Sequence, residues 1–309
     1  MEIKQILGIA LLFLIVACSQ RTPDQEKIQV GLIAPLTGPA SGPGTMILNS
    51  AQIAVDEINQ KGGVNGRLIE LIPEDDACDP KKTATAFAKL VEVNKVSSII
   101  GPFCSGSVLA VSKSADEKKV VLITPGATSP VITNAGDFTF RVAPSDAYET
   151  KILAEYLKMS FSRIGILYFD GQQALVDMVV LFKTNYLDIL VGVESFSGET
   201  NDVRTQLLRL KEAKIDALLV LVWPDQYGFV AKQAGDIGLD VPFFGTHTFE
   251  TPSIFQAGKD AEKYEYIIGS YDAQKSQALA FIQAYQQKFS TVPGVYGAFS
   301  YDATNILAK

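Results

Sequence analysis

One histidine and three cysteines in 309 residues leave little material for a catalytic triad or a metal site. The histidine, His247, is accompanied by no G-x-S-x-G elbow, no P-loop and no cluster with metal-ligand spacing. A solitary imidazole more often serves packing or ligand contact than catalysis. Cationic excess is missing as well: 27 Lys and Arg stand against 34 Asp and Glu, and the net charge of −7 argues against nucleic acid or an anionic membrane surface as partner. Beyond the first 18 residues no stretch is long and apolar enough to cross a bilayer as a helix. What is present is 47% hydrophobic and 20% charged, sufficient for the core of an exported globular protein of two domains.

Residues 1–18 read MEIKQILGIALLFLIVAC, in which Lys4 precedes an apolar run over 6–17. That run is too short for a membrane span and suits the core of a signal peptide. The segment ending Val16-Ala17-Cys18 resembles the lipobox of bacterial lipoproteins, whose cysteine is lipidated and becomes the mature N-terminus. A plain signal peptide with an accidental cysteine is the alternative. Residues 19–27 are polar and read as a tether. Such a chain is expected in the periplasm or on the outer face of the cytoplasmic membrane, anchored by lipid on Cys18.

The rest is organised around residues 98–130, SIIGPFCSGSVLAVSKSADEKKVVLITPGATSP. Two short Ile- and Val-bearing runs, 98–100 and 120–124, flank a segment with Val108, Leu109, Val111 and Ala115 at helical spacing, so the stretch predicts a βαβ unit. Ligands of parallel sheets bind outside the carboxyl ends of the strands. Here those ends carry Ser105-Gly106-Ser107 and Gly126-Ala127-Thr128, which supply hydroxyls and backbone N–H groups suited to an anion at a helix start. Cys78 and Cys104 follow predicted strands 67–73 and 98–101 at the same sheet end, so in an oxidising compartment a disulfide is expected between them, two buried thiols being the alternative.

Elsewhere strands and helices alternate. Strands are expected over 27–34, 67–73, 138–143, 163–169, 189–193, 215–223, 241–245 and 264–271. Helices are expected over 46–60, 80–93, 146–158, 201–213, 226–237 and 275–289, with another running to about 186, a turn near 253–257 and a last helix from 295. Gly62-Gly63 reads as a left-handed helix stop and Asn65-Gly66 as a tight turn. This alternation exceeds the needs of one sheet and predicts an α/β protein of two doubly wound parallel lobes.

GLIAPLTGPA, INQKGGVNGRLIELIPEDDACDP, IIGPFCSGS and ITPGATSP together resemble the branched-chain amino-acid-binding proteins of ABC importers, with the two-lobed type I periplasmic binding protein fold. The resemblance covers residues 27–309 and implies a first lobe over 28–145, a second over 146–271, a return to the first over 272–309 and a hinge crossed several times. It further implies a ligand carboxylate held by Ser105 beside Cys104 and by Thr128, carbonyls at Gly126 and Ala127 that accept from an ammonium group, and aromatic walls at Tyr296 and Trp223. No cofactor and no metal are implied; the partners are a small-molecule ligand and an ABC permease. The sequence departs from the family pattern at Ala174, where a tyrosine is usual, at Pro43, where a bulky aromatic is common, and at His247, where amino-acid binders place a glutamate. Asp146 is the substitute carboxylate if it faces the cleft.

Three functions compete: a solute-binding lipoprotein for a branched-chain or related amino acid, a sensor of the same fold, and an enzyme built on His247. The importer component fits best, and no enzyme activity is expected. The alternative ligand is a small amide, keto acid or other carboxylate without an ammonium group.

Overall fold

Two parallel five-stranded sheets carry the chain. The computed structural model describes residues 27–309 except 199, 250–263, 268, 270 and 271. The signal segment, Cys18 and the turn expected over 253–257 lie outside the described residues.

The first sheet contains β1 (Ile28–Ala34), β2 (Ile69–Asp75), β3 (Ser98–Ile100), β4 (Val121–Thr124) and β5 (Thr139–Arg141), in the order β2-β1-β3-β4-β5 and parallel throughout. The second contains β6 (Ile164–Phe169), β7 (Leu190–Phe196), β8 (Ala217–Leu221), β9 (Phe243–Gly245) and β10 (Tyr264–Tyr266), ordered β10-β9-β8-β6-β7. Counted from the first strand of each lobe, the two orders are the same. Inner strands such as β6 and β8 read as unbroken apolar runs because helices cover both faces, and all five residues of β8 are buried; the edge strands β2, β5, β7 and β10 carry polar or charged residues as well.

Helices α1 (Ser41–Gln60), α2 (Pro80–Ala88) and α3 (Ser105–Lys118) belong with the first sheet, and α4 (Asp146–Lys158), α5 (Gln173–Asn185), α6 (Arg204–Glu212) and α7 (Tyr227–Asp236) with the second. Helix α1 begins five residues before the expected start, inside the glycine- and proline-rich loop. Pro43 falls in the first turn, where its missing N–H costs no helical hydrogen bond. Gly44 permits the close approach, since a Cβ there would lie 1.9 Å from the Pro35 carbonyl oxygen. The helix stops at Gly62 and Gly63, both at positive φ, with the Gly63 N–H on the Ile58 carbonyl. Asn65 and Gly66 then turn the chain tightly between Val64 and Arg67. β10 is shorter than the run expected over 264–271.

The last helices, α8 (Ser276–Phe289) and α9 (Val295–Leu307), follow the second sheet in sequence but pack on α1. Ser300 donates to the Ile47 carbonyl at 2.8 Å, Tyr301 to Glu57 at 2.6 Å, and Lys288 pairs with Asp56 at 2.7 Å. The chain therefore crosses between the sheets after β5 and again after β10.

Cys78 and Cys104 are joined, with Cα atoms 5.5 Å apart, which staples the loop after β2 to the start of α3. In the chain-entropy account a loop of this size stabilises the fold by about 3.5 kcal/mol. Urea unfolding with and without reductant is expected to show a loss of about that size, and thiol labelling of the unfolded, unreduced chain is expected to leave residues 78 and 104 unmodified.

Candidate functional site

In a sheet ordered like these, crossovers leave the first strand on opposite faces, and a crevice opens at the carboxyl ends between it and its inner neighbour. The two crevices face each other. Between them lies a cavity of about 800 Å³ lined by loops from both lobes.

The first-lobe wall begins at the end of β3, where Cys104 caps α3 and Ser105 is its first residue. Ser105 is 2% exposed, and its Oγ accepts from the Ser129 N–H at 3.2 Å, which leaves the hydroxyl proton for another acceptor. The N–H groups of the first helical turn lack intrahelical partners and carry the positive end of the helix dipole. Beyond β4, Thr124 Oγ1 accepts from the Ala127 N–H at 3.0 Å and fixes the next loop. Gly126 lines the cavity because it has no side chain: a Cβ would come within 2.2 Å of the Phe103 ring. Thr128, 4% exposed, donates to Asp146 Oδ2 at 2.8 Å, so its own lone pairs are turned to other donors. Asp146 is fully buried at the start of α4, with its N–H on the Thr128 carbonyl at 2.9 Å. Arg141 donates to the carbonyls of Thr128 and Ser129 at 3.2 and 2.8 Å. Burial pulls its guanidinium below the ordinary value, opposed by the Asp146 charge.

The second-lobe wall is aromatic. Trp223 follows β8 and reaches across to pack against the first-lobe core. Phe249 lies between Tyr264 and Tyr266, at centroid distances of 5.0 and 5.7 Å. Opposite them Phe103 and Tyr296 meet edge to face at 4.9 Å.

Of the residues singled out from sequence, Cys104, Ser105, Gly126, Thr128, Asp146, Trp223 and Tyr296 line the cavity, as do Pro43 and Ala174. Ala127 does not line it; its side chain is buried with Val108 and Ile132. His247 opens a short turn, His247–Phe249, and its side chain lies outside what is described, although its neighbours Thr248 and Phe249 reach the cavity. The sequence reading missed Phe103, Gln172 and Asp225 and the aromatic residues Phe249, Tyr264 and Tyr266. Gln172 and Asp225 could have been found by applying the strand-end rule to the second lobe, since each follows a strand ending at the same edge. Among the described residues no group of three or more His, Cys, Asp or Glu is placed to hold a metal.

The sequence profile of a family described as periplasmic binding protein matches residues 27–309. The chain belongs to that family. Its relatives in the family include a leucine-, isoleucine-, valine-, threonine- and alanine-binding protein from Pseudomonas aeruginosa, 28% identical over 291 residues, covering 92% of this chain and 78% of the relative. A similar solved structure is the branched-chain amino acid transporter substrate-binding protein LivJ of Streptococcus pneumoniae with isoleucine, at a TM-score of 0.82, 28% identity, and coverage of 92% of this chain and 83% of that one. Another is a solute-binding protein of an ABC transporter from Rhodopseudomonas palustris with 3,4-dihydroxybenzoic acid, at 0.76 and 26%, covering 91% and 79%. The two doubly wound lobes are thus the type I periplasmic binding protein fold, and the family consists of binding proteins rather than enzymes.

Behind the cavity, Asp76 is fully buried and accepts from the Cys78 N–H at 3.1 Å and the Thr83 hydroxyl at 3.0 Å. Burial pushes its carboxyl up, against the opposing hydrogen bonds of Cys78, Thr83 and Ser107. Between that raised value and the ordinary one near 4, the folded chain holds a proton the unfolded chain has released, so this group's contribution to stability rises as pH falls through the window. Denaturant unfolding at pH 7, 5 and 4 is expected to show wild type gaining stability relative to Asp76→Asn toward the acid end.

Proposed function

We propose that this chain is the extracytoplasmic solute-binding component of an ABC importer and that its ligand is a branched-chain or related amino acid. The carrying observation is that one cavity holds an anion-ready helix start at Ser105 and a carboxylate-backed hydroxyl, Thr128 on Asp146. The ligand carboxylate takes the Ser105 hydroxyl and the first-turn N–H groups of α3. The ammonium, and not the carboxylate expected from sequence, takes Thr128 Oγ1, because the Thr128 proton is already committed to Asp146 and only its lone pairs face a ligand; Asp225 supplies further negative charge across the cavity. The apolar side chain lies against Trp223, Phe249 and Tyr264. In this reading the lobes span 28–145 and 146–271, with 272–309 returning to the first, and they close over the ligand by a hinge. The partner is a membrane permease, and lipid on Cys18 tethers the exported chain.

A second ligand class has one specific support. The Rhodopseudomonas relative was solved with an aromatic acid that has no ammonium group, and the position of the usual glutamate is His247 here. Both relatives' ligands, isoleucine and the benzoic acid, share a carboxylate, the group assigned to Ser105.

A thermal-shift screen of branched-chain amino acids, their keto acids, small amides and benzoates distinguishes the classes. A ligand at a hundred times its Kd stabilises by about 2.7 kcal/mol. Leucine, isoleucine or valine is expected to raise Tm; a shift with the other classes and none with any amino acid overturns the amino-acid reading. Calorimetry on Ser105→Ala is expected to show about tenfold weaker binding, the loss of one hydrogen bond to a charged group.

A further inference from the structure

Next to the ligand groups, one polar cluster bridges the lobes. Ser129, buried beside Thr128, presents its hydroxyl to Asp177 Oδ2 on α5 of the second lobe. The Val131 N–H donates to the same hydroxyl at 3.2 Å, which leaves its proton directed at Asp177. The other carboxylate oxygen of Asp177 accepts from Gln173 Nε2 at 2.8 Å and is aimed by it. Ser129 is held from below by Arg141, which donates to its carbonyl, and its N–H donates to Ser105 Oγ. One residue therefore fixes the ligand-facing Ser105 with its main chain and grips the opposite lobe with its side chain. The lobes meet closely there: Gln172 Nε2 lies 3.8 Å from Cys104 Sγ, and a Cβ at Gly106 would lie 3.9 Å from that of Gln173.

The geometry points to Ser129 and Asp177 as positioning residues that latch the closed lobes and couple closure to occupancy of Ser105. This rests on the binding-protein reading above but not on any ligand identity. The Ser129–Asp177 contact exists only with the lobes together, so its free energy enters the closed state alone. Both groups are hydrated when the lobes part. A hydrogen bond to a carboxylate is worth about a tenfold change in the closed-to-open ratio, and apparent affinity follows the closed fraction. Ligand leaves by opening, so the effect falls on release more than on capture.

The test is a fluorophore pair on Lys113→Cys of α3 and Lys183→Cys of α5 in the full chain with Cys18→Ser, read without ligand and with L-isoleucine. Ser129→Ala and Asp177→Ala are each expected to lower the closed-to-open ratio about tenfold, and the double variant no further than either alone. Asp177→Asn, which keeps an acceptor without the charge, is expected to fall between. Circular dichroism melts identify any variant that has lost its fold, for which Asp177→Asn then stands in. An unchanged closed fraction in the folded variants overturns the latch. A wild-type distance that isoleucine fails to move counts against the amino-acid reading only, because the ligand-free comparison still decides the latch.

Discussion

A parallel strand can be rejoined only by a crossover over the sheet face, and this single constraint shapes the whole protein. When the order runs β2-β1-β3-β4-β5, the chain leaves β1 toward one side and β3 toward the other, so their carboxyl ends cannot both be covered. The second sheet repeats the order and opens its own gap after β6 and β8. Set face to face, the two gaps make one cavity. Its walls are therefore loops and helix starts, rich in main-chain donors, where a strand-and-helix surface elsewhere presents few.

The first-lobe loops owe their precision to groups the ligand does not touch. Asp75 accepts from the Leu36 N–H and the Thr37 hydroxyl, fixing the chain that leads into α1. Thr124 donates to the Pro102 carbonyl at 2.5 Å and receives the Ala127 N–H, tying the two ligand loops to each other. The disulfide and the buried Asp76 hold the same region from behind. Preorganisation of this kind reduces the ordering entropy that binding must overcome.

Much of this was legible from sequence where local chemistry decides the outcome. Unbroken apolar runs marked the inner strands, Gly62-Gly63 and Asn65-Gly66 marked the turns, and the hydroxyl-bearing loops at 105 and 126–128 were visible because strand ends announce them. The start of α1 was not legible, since proline and glycine signal a loop locally and only the contact of Gly44 with Pro35 makes them helical. Cross-lobe partners such as Asp177 and Trp223's packing on the first-lobe core were hidden for a different reason: they join residues far apart in the chain, and no local pattern encodes them. Ala127 packs with Val108 and Ile132 rather than facing the cavity, its N–H held by the Thr124 hydroxyl three residues back, a local tie that the run of small residues does not announce.

The polar anchors of the cavity come from main chain and small residues at the first-lobe loops, while large rings from the second lobe, together with Phe103 and Tyr296, shape the rest. Main-chain donors survive almost any side-chain substitution, whereas rings can be exchanged one at a time. A lineage of such proteins can therefore change the body of its ligand by altering Trp223, Phe249 or Tyr264 while the anchor at Ser105 stays as it is. The architecture separates what must be inherited intact from what is free to diversify.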